Sequence, residues 1–204
     1  MRPPGLILAG GRSSRMGENK ALLRLGNDTI LGHIVRRLSP QVSTLAINSA
    51  VSFSGFETFH YLEDRPGRRL GPLAGILTGM RHFSAQPSEP SHFASAPCDS
   101  PFLPLDLVPQ LTAACPDPET IIIATSLDRR HPVFGLWPVA LADDLEQWLV
   151  DDGNRRINAF LNRHRTVTVN FQPLHTRHGA LDPFYNINTP EELAHVATFA
   201  ESLE

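Results

Sequence analysis

Apolar positions along the chain follow two alternating rhythms. Short runs that are apolar throughout, Gly5–Ala9, Thr44–Asn48 and Thr120–Thr125 ("TIIIAT"), predict strands buried on both faces. "HFASAP" (His92–Pro97), "PVFGLW" (Pro132–Trp137) and the alternating "TVTVNF" (Thr166–Phe171) add further strands, and "TFHYL" (Thr58–Leu62) and "FYNIN" (Phe184–Asn188) read as short ones. Between these runs the period lengthens to that of a helix. Ile30, Leu31, Ile34, Val35 and Leu38 share one face, with Asp28 or Thr29 as the N-cap. Leu73, Ile76, Leu77 and Met80 stay in register behind Pro72; Leu141, Leu145, Trp148 and Leu149 make a third stripe, and Ile157, Phe160 and Leu161 a fourth. Asp106 is placed to cap a helix through "LVPQL". The final helix carries the fullest start signal, with Thr189 as N-cap, Pro190 at the first position and Glu192 closing a capping box.

Strands alternating with helices predict a three-layer α/β/α arrangement around a Rossmann-like, mostly parallel sheet, as a single domain over residues 1–204. The loosest stretch, "SAQPSEPS" (Ser84–Ser91), is too short to divide it. Ligands of such sheets lie beyond the carboxyl ends of the strands. That rule gathers Ala9–Lys20, Asn48, Glu63, Asp64, Pro97–Asp99, Asn186 and Asn188 on one edge.

Composition narrows the function. The chain has 204 residues, 41% hydrophobic and 19% charged, a globular balance with room for a substantial core. A net charge of −3 gives no bulk attraction to nucleic acid or to an anionic membrane, so any anion must be held by a local cluster. Cys98 and Cys115 make no disulfide framework and suit a reducing compartment. The apolar run Leu6–Ala9 is too short for a signal peptide, and no segment approaches the ~20 apolar residues of a membrane span. The expectation is a soluble cytoplasmic protein.

The candidate chemistry begins with "LILAGGRSSRMGENKALL" (Leu6–Leu23). It fits neither the P-loop nor the dinucleotide fingerprint: no Ser or Thr follows Lys20, and Gly10 and Gly11 are adjacent. Paired glycines still allow close backbone approach, Ser13 and Ser14 add donors, and Arg15 and Lys20 add cations suited to a triphosphate. A glycine turn with a solvated basic face is the plainer reading. Asp99, between Pro97 and Pro101, is a turn residue by itself and a Mg2+ ligand beside a triphosphate loop, since Mg2+ needs few protein oxygens. The helix starting at Pro72 offers free N–H groups, and Gly75 and Gly79 thin its face, either for a ligand or for packing on the sheet. Arg155 and Arg156 oppose the dipole of the helix they precede, which an anion there would explain; a solvated turn offset by Asp151 and Asp152 is the alternative. His131 reads as a solvent-facing turn histidine, with a substrate contact as the alternative. The histidines show no metal-site spacing, and Cys98 reads as packing.

Four ordered blocks then point to a family. "LAGGRSSRMGENK" resembles the nucleotidyltransferase signature L-A-G-G-x-S-x-R-M-G-x-x-K, and "GPLAGI", "PCDSPFLP" and "NINTPEEL" resemble its later blocks. The resemblance is closest to the molybdenum cofactor guanylyltransferases and extends from Leu8 to Leu193. It implies transfer of GMP from GTP to the terminal phosphate of molybdenum-molybdopterin, with Mg2+ as cofactor, pyrophosphate as by-product and molybdoenzymes as receivers of the product. By the resemblance, Leu8, Ala9, Gly10 and Gly11 would lie at the nucleotide and Lys20 at its phosphates. Asn48 and Asp64 would complete the GTP site, Asp99 would hold Mg2+, and Arg15, Lys20 and Asp99 would be catalytic. Arg155, Arg156, Asn186 and Asn188 would face the pterin. Two positions depart from the pattern: Asn19 stands where Asp is usual, and Asn186 and Asn188 stand where many relatives place a second acidic metal ligand. The related cytidylyltransferases, whose loop reads L-A-A-G, and a non-catalytic nucleotide-binding regulator are the alternatives.

Overall fold

The computed structural model describes residues 2–10, 20–64, 71–87, 90–151 and 156–200. Its centre is a seven-stranded sheet. In chain order the strands are β1 (Gly5–Leu8), β2 (Arg24–Leu25), β3 (Asp28–Thr29), β4 (Leu45–Asn48), β5 (His60–Leu62), β6 (His92–Pro97), β7 (Ile121–Ser126), β8 (Arg129–Pro138), β9 (Thr166–Asn170), β10 (Leu174–Thr176) and β11 (Gly179–Leu181). The sheet order is β5-β4-β1-β6-β8-β7-β9, while β2–β3 and β10–β11 form separate small hairpins. Every pairing in the large sheet is parallel except those of β8, which runs antiparallel to both β6 and β7.

The helices are α1 (Ile30–Leu38), α2 (Pro72–Ser84), α3 (Leu107–Ala113), α4 (Ala142–Trp148), α5 (Ile157–Leu161) and α6 (Pro190–Ala200). Alternation along β1 sorts them into layers. Ile7 points to the core shared with α1, α3 and α6, whereas Leu6 and Leu8 point to the core shared with α2, α4 and α5. Both cores are closed by fully buried side chains, including Ile30 and Ile34 on one side and Phe83, Phe93 and Trp137 on the other. The expected three-layer α/β arrangement is what forms. No helix among the described residues is long and apolar enough to cross a membrane.

Local expectations fare differently. Thr29, not Asp28, caps α1 by accepting from Gly32 N–H, while Asp28 pairs with Arg36. Asp106 occupies the cap position of α3 without capping it; its carboxylate accepts from Gln110 instead. The orphan N–H of Val108 is met from another segment, by Gln41 Oε1 at 2.9 Å. Gln41 is buried, and its amide also donates to Arg37 and Pro104 carbonyls, each at 2.8 Å. "FYNIN" forms no strand: residues 185–188 are extended but outside the sheet, with backbone bonds from Ile187 N–H to Asp99 C=O and from Tyr185 N–H to Asp182 C=O. Gly79 is a packing residue, since a Cβ there would stand 2.7 Å from Leu6 and 2.8 Å from the Phe93 ring.

Replacing Gln41 with Ala leaves the Val108 N–H without its partner and removes a donor from the Arg37 and Pro104 carbonyls. The expected loss is about 2 kcal/mol, seen as a Tm lower by roughly 4–8 °C in a thermal melt. An unchanged Tm would show that water reaches the gap and satisfies them.

Candidate active site

The sheet order reverses direction between β1 and β6, and a cleft of about 650 Å3 opens at the carboxyl ends of these strands. Leu8, Gly10, Asn48, Asp64, Pro97 and Asp99 line it, as do Asn186 and Asn188. The convergence expected from strand ends is therefore present for these residues. Ala9 continues the same strand end, its N–H bonded to Asn48 C=O at 3.0 Å. Gly11, Ser13, Ser14, Arg15 and Arg155 lie outside the described residues.

One wall of the cleft is organised by Asn48. Its side chain is buried and donates to Leu62 C=O at 3.0 Å and to Asp64 Oδ1 at 2.7 Å. Thr78 on α2 donates to the same Asp64 oxygen at 2.8 Å, a contact the sequence reading missed because a helical Thr gives no signal of its direction. Two glycines make room for this arrangement. A Cβ at Gly75 would stand 2.3 Å from Asn48 Oδ1, and one at Gly10 would stand 3.1 Å from Asn48 Oδ1 and 3.4 Å from Asp64 Oδ2. Gly75 thus serves packing between helix and sheet, and it also seats Asn48.

Behind Asp99, Asn186 and Asn188 stands Lys20, which opens a 3-10 turn (Lys20–Leu22) and is only 9% exposed. Its Nζ donates to Asp99 Oδ2 at 3.0 Å, Asn188 Oδ1 at 2.8 Å and Asn186 Oδ1 at 3.4 Å. Three segments far apart in sequence meet at one ammonium. Ile187 is buried between the two exposed asparagines, so the extended backbone sends both amides the same way. The predicted capping box fixes where this segment ends: Glu192 accepts from Asn188 and Thr189 N–H, and Thr189 Oγ1 accepts from Glu192 N–H at 3.2 Å. Cys98 contributes no nucleophile. Burial, and then the Asp99 charge, push its thiol up to about 12.

The opposite wall comes from β7, β8 and the segment after β11. The β7–β8 turn places Leu127 and Asp128 at φ 47° and 59°, the left-handed pair of a tight hairpin without a glycine to announce it. The ladder then slips: Ile123 pairs with Gly135 but Ala124 with His131, so Pro132–Phe134 bulge from β8. Ser95 pins the bulge by donating to Val133 C=O at 2.7 Å. The result corrects the reading of His131, which lines the cleft on a strand instead of facing solvent from a turn. Its imidazole lies tilted against the Phe184 ring, with centroids 4.7 Å apart, and has Nε2 2.8 Å from Ser126 Oγ. Burial holds its pKa below the ordinary value; the Asp182 charge opposes that shift and Arg129 adds to it. Arg129, Arg130 and Asp182 also line the cleft, and the sequence reading passed over all three. Arg156 is exposed at the start of α5 and is not among the lining residues. Among the described residues no cluster of three or more His, Cys, Asp or Glu is placed to hold a metal.

A Rossmann-like sheet with an acid, a lysine and amide side chains at its switch point suits nucleotide chemistry, and the family and its relatives identify the class as a nucleotidyltransferase enzyme. The chain belongs to the MobA-like NTP transferase family, whose domain matches residues 5–167. It is 46% identical over 202 residues to the molybdenum cofactor guanylyltransferase of Rhizobium rhizogenes, covering 98% of this chain and 94% of that one. Its fold matches molybdopterin-guanine dinucleotide biosynthesis protein A from Archaeoglobus fulgidus with a TM-score of 0.72 at 21% identity, over 97% and 98% of the two chains. It also matches the manganese complex of Rv0371C from Mycobacterium tuberculosis, with a TM-score of 0.65 at 14% identity, over 97% and 98%.

A methyl group at Gly10 crowds Asn48 Oδ1, which must give by a few tenths of an ångström, and touches Asp64 at ordinary contact distance. Gly10→Ala is expected to weaken nucleoside triphosphate binding about tenfold in calorimetry while Tm moves little. Unchanged affinity would separate this wall from the nucleotide.

Proposed function

We propose that the chain transfers GMP from GTP to the terminal phosphate of molybdenum-molybdopterin, releasing pyrophosphate and giving a guanine dinucleotide cofactor for molybdoenzymes in the cytoplasm. The observation that carries this reading is the junction of Lys20 with Asp99, Asn186 and Asn188 at the switch point, in a chain of the MobA-like family. The attacking group is a phosphate oxygen, already ionised at neutral pH, so no general base is required. The work left to the protein is alignment and the neutralisation of charge at the α-phosphate and the leaving pyrophosphate.

The residues divide that work. Leu8, Ala9, Gly10 and Gly11 offer backbone to the guanine, and Asn48 with Asp64 closes the nucleotide side. Lys20, with Arg15 from the same loop, carries positive charge to the phosphates. Asp99 suits a Mg2+ ligand: its Oδ2 already faces a cation, the Lys20 ammonium at 3.0 Å, and Mg2+ accepts one carboxylate alongside waters and phosphate oxygens. Bound there, Mg2+ would supply Lewis acidity to the phosphates. Asn186 and Asn188 offer neutral amides, which favours one principal metal. Asn186 and Asn188 also border the half of the cleft left for the pterin, with Arg155 and Arg156 assigned to the same side by the family pattern.

Two measurements test this. Asp99→Ala should lower pyrophosphate release from GTP and molybdopterin by about 100-fold or more while weak metal-free GTP binding persists. Survival of turnover at ordinary Mg2+ would remove Asp99 from the metal site. In direct competition GTP should be used ahead of CTP; the reverse preference would make the chain a cytidylyltransferase, and nucleotide binding without turnover would make it a regulator.

A further inference from the structure

The two walls of the cleft differ in chemistry. The nucleotide wall is polar; the opposite wall is largely apolar, built from Val133, Phe134 and Phe184, with one carboxylate, Asp182, set into it. The Asp182 side chain is 14% exposed. Its Oδ1 is fully engaged, accepting from the buried Ser126 hydroxyl at 2.7 Å and from Phe184 N–H at 2.9 Å. Its Oδ2 accepts no hydrogen bond among the described residues, and His131 Nε2 stands 4.0 Å away. Ser126 has one hydroxyl proton, and the carboxylate takes it. His131 Nε2, 2.8 Å from the same hydroxyl oxygen, must then be the donor in that contact, which leaves Nδ1 as the acceptor of the neutral ring. The wall therefore presents acceptors, rigidly held, beside aromatic faces. The Oδ2 atom borders the cleft, so a ligand N–H can be received there.

We infer that Asp182 is a specificity-determining residue for the acceptor substrate: its Oδ2 receives the N–H groups of an amino-pyrimidinone edge, the edge a pterin presents through its exocyclic amine and ring N–H. Ser126 is the positioning residue that turns Oδ2 toward the cleft. Phe134 and Phe184, 4.6 Å apart, supply apolar contact for the flat ring. Arg129 and Arg130, exposed at the rim and in no ion pair among the described residues, stand ready for the acceptor's negative charge. This rests on the proposed pterin acceptor.

The test compares wild type with Asp182→Asn and Ser126→Ala. Asp182→Asn should raise the KM for molybdopterin about tenfold or more, with kcat and the GTP Kd within about twofold of wild type; Ser126→Ala should move KM the same way by less. Fluorescence quenching of 6-hydroxymethylpterin, set against the lumazine that carries a 2-oxo group in place of the amine, gives a readout that a purely structural role would not move. Wild type should prefer the pterin about tenfold or more, and Asp182→Asn should lose the preference. An unchanged molybdopterin KM in Asp182→Asn, or an equal loss of GTP affinity, overturns the assignment. Should the variants not fold, the wild-type ratio decides, and a ratio near one overturns it. Pterin preference without GMP transfer by the wild type would overturn the proposed reaction and leave Asp182 in place; transfer with a ratio near one would overturn Asp182 alone.

Discussion

The ammonium of Lys20 is the constraint on which the site depends. A lysine nine-tenths buried must be surrounded by acceptors, because an unpaired charge in that position would cost several kcal/mol. The acceptors come from the end of β6 and from the segment that leads into α6. Satisfying one charge therefore ties the first loop, the centre of the sheet and the last fifth of the chain together. The backbone bond from Ile187 to Asp99 closes the same junction from below, and the Thr189–Glu192 capping box stops the segment where both asparagines still face the lysine.

Around that junction the sheet separates two chemistries. To one side, parallel strands deliver Asn48 and Asp64 from their carboxyl ends, and Gly10 just after β1 and Gly75 on α2 let them sit close to the backbone. To the other, antiparallel β8 brings its own beginning to the same edge, and the bulge at Pro132–Phe134 re-aims the strand so that His131 and Phe134 border the cleft. The proposed transfer between two phosphates would use this division, with one partner on each side and cationic charge between them.

Much of this was legible in the residues. Apolar runs located β1, β4 and β7 to within a residue or so, because strands buried on both faces are largely apolar, and "HFASAP" located β6. Strand-end logic brought out Asn48, Asp64 and Asp99, and the capping box was visible as Thr-Pro-Glu-Glu. What escaped depends on contacts across the fold. Gln41 capping α3 replaces an adjacent Asp that looked adequate, and Thr78 reaches Asp64 only once α2 is docked. The β7–β8 hairpin hid because its turn is Leu-Asp in left-handed backbone, where Asn-Gly would have declared it. With the hairpin unseen, Arg129, Arg130 and Asp182 had no strand end to be assigned to, and His131 read as a turn residue. "FYNIN" kept the alternation of a strand while its only sheet-like bond goes to a loop carbonyl, so the pattern was right and the partner was missing.

The most direct measurement of the account is the mass of the product. Incubated with GTP, Mg2+ and molybdenum-molybdopterin, the protein should convert the pterin to a species heavier by one GMP unit, joined through a phosphate anhydride, with one pyrophosphate released for each. A pterin of unchanged mass, with GTP intact or merely hydrolysed, would contradict it.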